Sequence, residues 1–270
     1  MLRAQKQPRA IVLKSPREIA LMRESGRLVA RVLDTIRSMA VPGATTHDMN
    51  MEAERLFREA GATPLFRGVP STVKGKPPFP AAICSSVNEQ VVHGIPNKRA
   101  LQAGDIVSID TGCRLNGWCG DSAVTLAIGA ITPEHQHLLD VTRDTLDLAI
   151  RSMSRCRNWS EVAHLMEQYV KSQNMAVIEK FVGHGIGQNM HEEPQVPNFL
   201  SKALKQHDIR LEPGVVLAIE PMVALGTKEV RTLGDGWTVE TKDRRYAAHY
   251  EHTVAMTPDG PRVLTLLEGD

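Results

Sequence analysis

LQAGDIVSID, residues 101–110, aligns without a gap on LEPGVVLAIE, residues 211–220, sharing the first Leu, the Gly and the last Ile before a terminal acid. Each copy reads as a glycine turn feeding a buried strand that ends on a carboxylate, Asp110 in one and Glu220 in the other. His-Gly-Ile stands upstream of both, at 93–95 and at 184–186. A single match would carry little, because a Gly turn before an apolar strand is common. Two motifs recurring in the same order point to two structurally related halves. A pseudo-twofold packing of such halves would bring Asp110 and Glu220 face to face at the centre.

The helix signals repeat too. Ser15-Pro16-Arg17-Glu18 combines a capping hydroxyl, Pro at the first helical position and Glu able to close a capping box. Ile19, Met22, Gly26, Val29, Leu33 and Ile36 follow at spacings of three and four, which predicts a helix to about Met39. Thr45 or Thr46 caps a second, with Met49, Ala53, Leu56 and Phe57 inward until Gly61 stops it. In the second half Thr132-Pro133-Glu134 opens a helix carrying Leu138, Leu139, Leu146, Ala149 and Met153. Ser160 is expected to cap another, with Val162, Leu165, Met166 and Tyr169 inward. Two helices before the strands in each half predict an α+β class.

Composition narrows the function. With 32 Lys and Arg against 31 Asp and Glu the formal net charge is +1, so nothing draws the chain as a whole to nucleic acid or anionic membrane. Cys84, Cys113, Cys119 and Cys156 show no CxxC pairing and read as reduced thiols. No stretch approaches the roughly 18 apolar residues of a membrane span. The expectation is a soluble cytoplasmic monomer with no DNA or membrane partner. It would consist of a flexible tail over residues 1–12 and one catalytic domain over 13–270.

Chemistry gathers on the acids. Between Asp110 and Asp121 lies TGCRLNGWCG, whose Asn116-Gly117 is a strong two-residue hairpin signal. Such a turn sets Asp110 opposite Ala123, and because side chains alternate with period two, Asp121 shares that face. The two carboxylates become diagonal neighbours with backbones roughly 7 to 8 Å apart, close enough to share ions between them. Glu220 ends the apolar run Val215–Ile219, and Glu251 sits in the strand-like Tyr250-Glu251-His252-Thr253-Val254. Any one acid alone reads as a solvated strand-end charge. Four of them with His184 would repel one another unless cations removed the cost. One imidazole and four carboxylates suit two divalent ions roughly 3.5 to 4 Å apart, activating water as nucleophile. Oxygen-rich donors of this kind favour Mn, Fe or Co.

His93 in VVHGIP and His191 in NMHEEP flank turns where backbone can approach a substrate, and both could donate to a scissile carbonyl or leaving nitrogen. The remaining histidines, at 47, 135, 137, 164, 207, 249 and 252, are given no role.

NEQVVHGIP, DIVSIDTG, WCGDSAVT, VGHGIGQNMHEEP, VLAIEP, GDGWTVETKD and YEHTVAM together resemble, in order from about residue 14 to residue 257, the type I methionine aminopeptidases. The Asp/Asp/His/Glu/Glu set is shared across the pita-bread fold, prolidase and aminopeptidase P included; VHGIP, GHGIG with HEEP, and GDGWT are more specific. The resemblance implies a pita-bread fold, its pseudo-twofold duplicated halves of antiparallel sheet covered by helices. It implies removal of the initiator Met from nascent proteins when the second residue is small, with two divalent ions (Co, Mn, Fe or Zn). Transient ribosome contact is an expectation only because such substrates are nascent chains.

Carried across residue by residue, it implies that Asp110 and Asp121 bind one metal, with Asp121 bridging to the second. His184 and Glu220 complete the second, and Glu251 bridges. His93 and His191 would hold substrate and stabilise the transition state, Glu220 would shuttle the proton, and Trp237 and Phe79 would wall the methionine pocket. Two departures touch that pocket. VPSTVKGKPPFP, residues 69–80 and overlapping an insertion read at 67–78, adds residues upstream of Ile83, leaving Phe66 as an alternative to Phe79, and Met190 stands where an aromatic is often found. The rivals are an X-Pro peptidase of the same fold, which usually carries an additional amino-terminal domain, and an inactive binding module, which would have lost ligands.

Overall fold

A computed structural model describes residues 11–267. In chain order the elements are α1 (Pro16–Met39), α2 (Thr46–Glu59), β1 (Thr63–Pro64), β2 (Ile83–Val87), β3 (Gln90–Val92), β4 (Ile106–Leu115) and β5 (Trp118–Ala127). Then come α3 (Pro133–Ser152), α4 (Trp159–Ser172), β6 (Ala176–Val177), β7 (Gly183–Gly185), β8 (Glu192–Val196), α5 (Lys202–Gln206), β9 (Val216–Ile219) and β10 (Met222–Ala224). The last five are β11 (Val230–Thr232), β12 (Val239–Thr241), β13 (Ala247–His249), β14 (Glu251–Thr257) and β15 (Gly260–Val263).

The first three helices begin where their caps dictate. Ser15 receives the Glu18 amide at 3.4 Å while the Glu18 carboxylate receives the Ser15 amide at 2.7 Å, closing the capping box. Thr45 and Thr132 cap α2 and α3. The fourth differs from expectation: Asn158, not Ser160, is the N-cap, and Ser160 instead donates its amide to Asp208 at 3.0 Å. From that start the buried stripe runs Trp159, Val162, Ala163, Met166 and Val170. Leu165 falls between its members and is 40% exposed, not inward.

A nine-stranded, wholly antiparallel sheet forms the centre, in the order β1-β4-β5-β14-β9-β7-β8, with β2 also on β4 and β15 on β14. Two three-stranded sheets, β13-β10-β6 and β11-β12-β3, complete it. Asn116 (φ 52°) and Gly117 (φ 83°) make the tight turn between β4 and β5, both in the left-handed region that a type I′ hairpin needs.

The two aligned segments occupy equivalent places. Val107 and Ile109 pack with Val29, Val32, Met49 and Phe57 under α1 and α2. Their counterparts Leu217 and Ile219 pack with Leu146, Trp159, Val162 and Met166 under α3 and α4. Period-two alternation then turns Ser108 and Asp110, and likewise Ala218 and Glu220, to the opposite face. Asp110 and Glu220 therefore share a face without being on neighbouring strands, since β5 and β14 lie between β4 and β9.

α1 crosses β5 at a glycine pair. A Cβ on Gly120 would lie 2.7 Å from the Gly26 nitrogen, so backbone meets backbone and no side chain fits. Residues 1–10 of the tail read from the sequence lie outside the described residues; Ile11 packs, partly buried, against the core of the second half. Among the described residues no helix is long and apolar enough to cross a membrane.

Candidate metal centre and adjoining pocket

Strand register assembles the acids. Cys84, Asp110, Ala123 and Glu251 stand in one row across β2, β4, β5 and β14, so Asp110 and Glu251 flank the small Ala123 on one face. Asp121 pairs with Gly112, and a Cβ there would sit 2.8 Å from Asp121 Oδ1. Glycine at 112 thus leaves the carboxylate its space. The main chain is fastened across β5 and β14: the Asp121 amide donates to Thr253 Oγ1 at 3.1 Å, and Ser122 Oγ donates to the Glu251 carbonyl at 2.5 Å.

From the other half, His184 on β7 pairs with Ala218 on β9, two residues before Glu220 and on the same face. His184 Nδ1 lies 3.0 Å from the Gly185 carbonyl oxygen, an acceptor only, so Nδ1 carries the proton and Nε2 the lone pair. Nε2 stands 3.7 Å from Glu220 Oε1. Asp121, His184 and Glu251 each offer one donor atom within 4.8 Å of the others.

The electrostatics are those of charge without compensation. Burial pushes the carboxyls of Asp110, Asp121, Glu220 and Glu251 above their ordinary range, and repulsion from neighbouring acids adds to it for Asp110, Glu220 and Glu251. Asp110 Oδ1, Asp121 Oδ1 and Glu251 Oε1 are buried with no hydrogen-bond partner among the described residues. Burial lowers His184 to about 4, helped by the neighbouring His191, so the imidazole is neutral. The adjacent Cys84 is pushed well up by burial and by Asp110, which keeps it a thiol.

Two more histidines border the cluster. The His191 ring stands edge-on to His184 with centroids 4.4 Å apart. His93 holds φ 59°, an uncommon conformation for a non-glycine residue, with its ring edge-on to Phe181 at 5.2 Å. Burial lowers both, His93 to about 4. Beside them opens a cavity of about 110 Å³ that reaches the carboxylates and is walled by Phe66, Phe79, Met190 and Trp237. Both candidate phenylalanines line it, and Met190 takes part in the wall.

Phe79 and Trp237 meet edge to face at 5.1 Å. Trp237 Nε1 donates to the Pro77 carbonyl at 2.9 Å and Ser71 Oγ to that of Gly236 at 3.2 Å, so the 67–78 stretch is bound to the GDGWT loop. Outward of the cluster runs a cleft of about 980 Å³, bordered by Lys14, His93, His191 and Glu192.

Residues 20–258 match the model of metallopeptidase family M24. The chain belongs to metallopeptidase family M24. Within M24 its relatives include methionine aminopeptidase 1 of Bacillus subtilis, 42% identical over 94% of this chain and 99% of that one. The methionine aminopeptidase structure from Thermotoga maritima superposes with a TM-score of 0.88 at 38% identity, over 95% of this chain and 100% of that one. Prolidase from Pyrococcus horikoshii shares the fold at a TM-score of 0.72 and 17% identity, over 95% of this chain and 64% of that one.

M24 membership implies divalent metal, and the residues fit it. Orphaned carboxylate oxygens, a neutral imidazole with a free lone pair and the absence of thiolate make a hard donor set. All five acids and histidines singled out as ligands converge here, as do His93 and His191. Sequence reasoning passed over Val69 and Cys84, which also line the cavity, and His249, whose Nε2 lies 3.7 Å from Glu220 Oε2. Register with Asp110 signals Cys84; nothing in the sequence signals Val69, and the break at Tyr250 takes from His249 the same-face signal that two-residue spacing from Glu251 would give.

Proposed function

We propose that this M24 chain is a metal-dependent methionine aminopeptidase that removes the initiator Met from nascent proteins in the cytoplasm when the second residue is small. The observation that carries this reading is the apolar cavity of Phe66, Phe79, Met190 and Trp237, which opens directly on the carboxylates and His184. The substrate class follows from the named activity of its relatives.

Asp110, Asp121, His184, Glu220 and Glu251 would hold two divalent ions, with Co, Mn, Fe and Zn as candidates. Ions held there supply Lewis-acid polarisation of the scissile carbonyl and lower the pKa of water. The chain does the rest. The cavity takes the methionine side chain, whose unbranched thioether adapts to an aromatic wall. His93 and His191 line both cavity and cleft, and their neutral rings offer N–H donors to the carbonyl or the leaving nitrogen. Glu220 also lines both and would move a proton from water to the leaving amine. A bulky second side chain collides with ligands fixed on strands. Nascent-chain substrates imply transient contact with the ribosome.

The test is cleavage of Met-Ala-Ser, Met-Leu-Ser and Ala-Pro-Ser by metal-free protein titrated separately with Co, Mn, Fe and Zn. Rapid release of Met from Met-Ala-Ser alone is expected. Rapid cleavage of Ala-Pro-Ser with none of Met-Ala-Ser would make the chain an X-Pro peptidase instead.

A further inference from the structure

Glu220 meets an imidazole at each carboxylate oxygen. His184 Nε2 stands 3.7 Å from Oε1, and His249 Nε2 stands 3.7 Å from Oε2. His184 already has a part as a metal ligand. His249 has none: it is buried, borders neither the cavity nor the cleft, and its Nε2 has no hydrogen-bond partner among the described residues.

Its place is built rather than incidental. His249 ends β13 and pairs with Met222, the first residue of β10, which follows Glu220 across Pro221. Thr125 Oγ1 receives the His249 amide at 2.9 Å and donates to the His249 carbonyl at 2.8 Å. The buried Asn198 donates Nδ2 to the Glu220 carbonyl at 3.0 Å. The His249 main chain is thus fixed beside Glu220 by β10 on one side and by Thr125 of β5 on the other.

We propose that His249 is a positioning residue: it donates Nε2–H to Glu220 Oε2 and leaves Oε1, beside His184, as the oxygen presented to a metal ion. An N–H···O bond spans about 2.7 to 3.2 Å, so the ligated Glu220 carboxylate must lie about 0.5 to 1 Å nearer His249 than the 3.7 Å seen here. A ligating side chain is oriented in this way by a group behind it, and loss of such a partner typically costs 10- to 100-fold in metal affinity or activity. The inference rests on Glu220 being a ligand.

Calorimetric titration of metal-free wild type, His249→Gln, His249→Leu and His249→Asn with Mn²⁺ tests it, with kcat and KM measured on Met-Ala-Ser. Glutamine carries an amide N–H to about the position of Nε2, asparagine stops short of it, and leucine fills the space with no donor. His249→Gln is expected to bind both ions within about threefold of wild type. His249→Leu and His249→Asn should lose roughly tenfold or more in affinity for one ion, with kcat falling in parallel and KM holding. If His249→Leu fails to fold, as its melting temperature would report, the Gln and Asn pair still decides. Wild-type affinity in His249→Asn, or a His249→Gln as impaired as His249→Asn, would overturn the proposal. A wild-type protein that binds no Mn²⁺ would overturn the ligand reading of Glu220 and the proposal with it.

Discussion

The carboxylate floor and the aromatic wall of the same cavity are built in different ways. Asp110, Asp121 and Glu251 stand on adjoining antiparallel strands, placed by register and fastened by main-chain bonds such as Ser122 Oγ to the Glu251 carbonyl. Phe66, Phe79, Met190 and Trp237 stand on connecting segments, held by contacts between distant loops such as Trp237 Nε1 to Pro77. The floor is rigid because a strand cannot shift by one residue without turning every side chain to the other face. The wall can change with loop sequence and leave the sheet untouched. Chemistry is thus invested in the sheet and specificity in the loops.

That contrast can be broken in four ways. The largest effect should come from removing ions with a chelator, which is expected to abolish turnover on Met-Ala-Ser. It should also lower the melting temperature, since ligand at about 100 times its Kd stabilises by about 2.7 kcal/mol. A melting curve unmoved by Mn²⁺ would mean that the floor does not hold ions. Next, His191→Ala should lose roughly a hundredfold or more in kcat while keeping its metal, as for deletion of one donor aimed at a developing oxyanion. Release of metal from that variant would move His191 from substrate contact into the ligand set.

Trp237→Ala should act on the wall alone, raising KM for Met-Ala-Ser by a factor corresponding to about 1 to 3 kcal/mol with metal content unchanged. Loss of ions there would erase the distinction between wall and floor. The smallest effect is expected for Met190→Leu, a volume-conserving change that should cost less than about 1.5 kcal/mol in transition-state binding. Its informative readout is the ratio of norleucine-Ala-Ser to Met-Ala-Ser cleavage. Norleucine should be cleaved appreciably by wild type, because so similar a side chain is only partly discriminated.

The same contrast governs how much could be read from the sequence. Asn116-Gly117 fixes a two-residue turn, and from it the pairing of Asp110 with Ala123 and the shared face of Asp121 follow by counting. The aligned segments foretold equivalent places for Asp110 and Glu220, because alternation sends residues 107, 109, 217 and 219 to the helices. Helix α4 was misread at its start because Asn158 and Ser160 are both good capping residues. The choice fell to Trp159, which is fully buried and donates Nε1 to Pro197 at 2.8 Å, a tertiary contact with no local signature. The wall was legible only through resemblance, since nothing in the chain order of 66–79 and 233–238 says that these loops meet. His249 escaped notice because a strand break at Tyr250 separates it from Glu251.

The division between floor and wall is tested most directly by metal analysis of Asp121→Ala and His191→Ala beside wild type. Asp121→Ala should lose ions and all turnover, because a buried carboxylate at the centre of the cluster is gone and the remaining donors cannot hold the same charge. His191→Ala should keep the wild-type complement. Full occupancy and normal turnover in Asp121→Ala would contradict the central claim and remove Asp121 from the site.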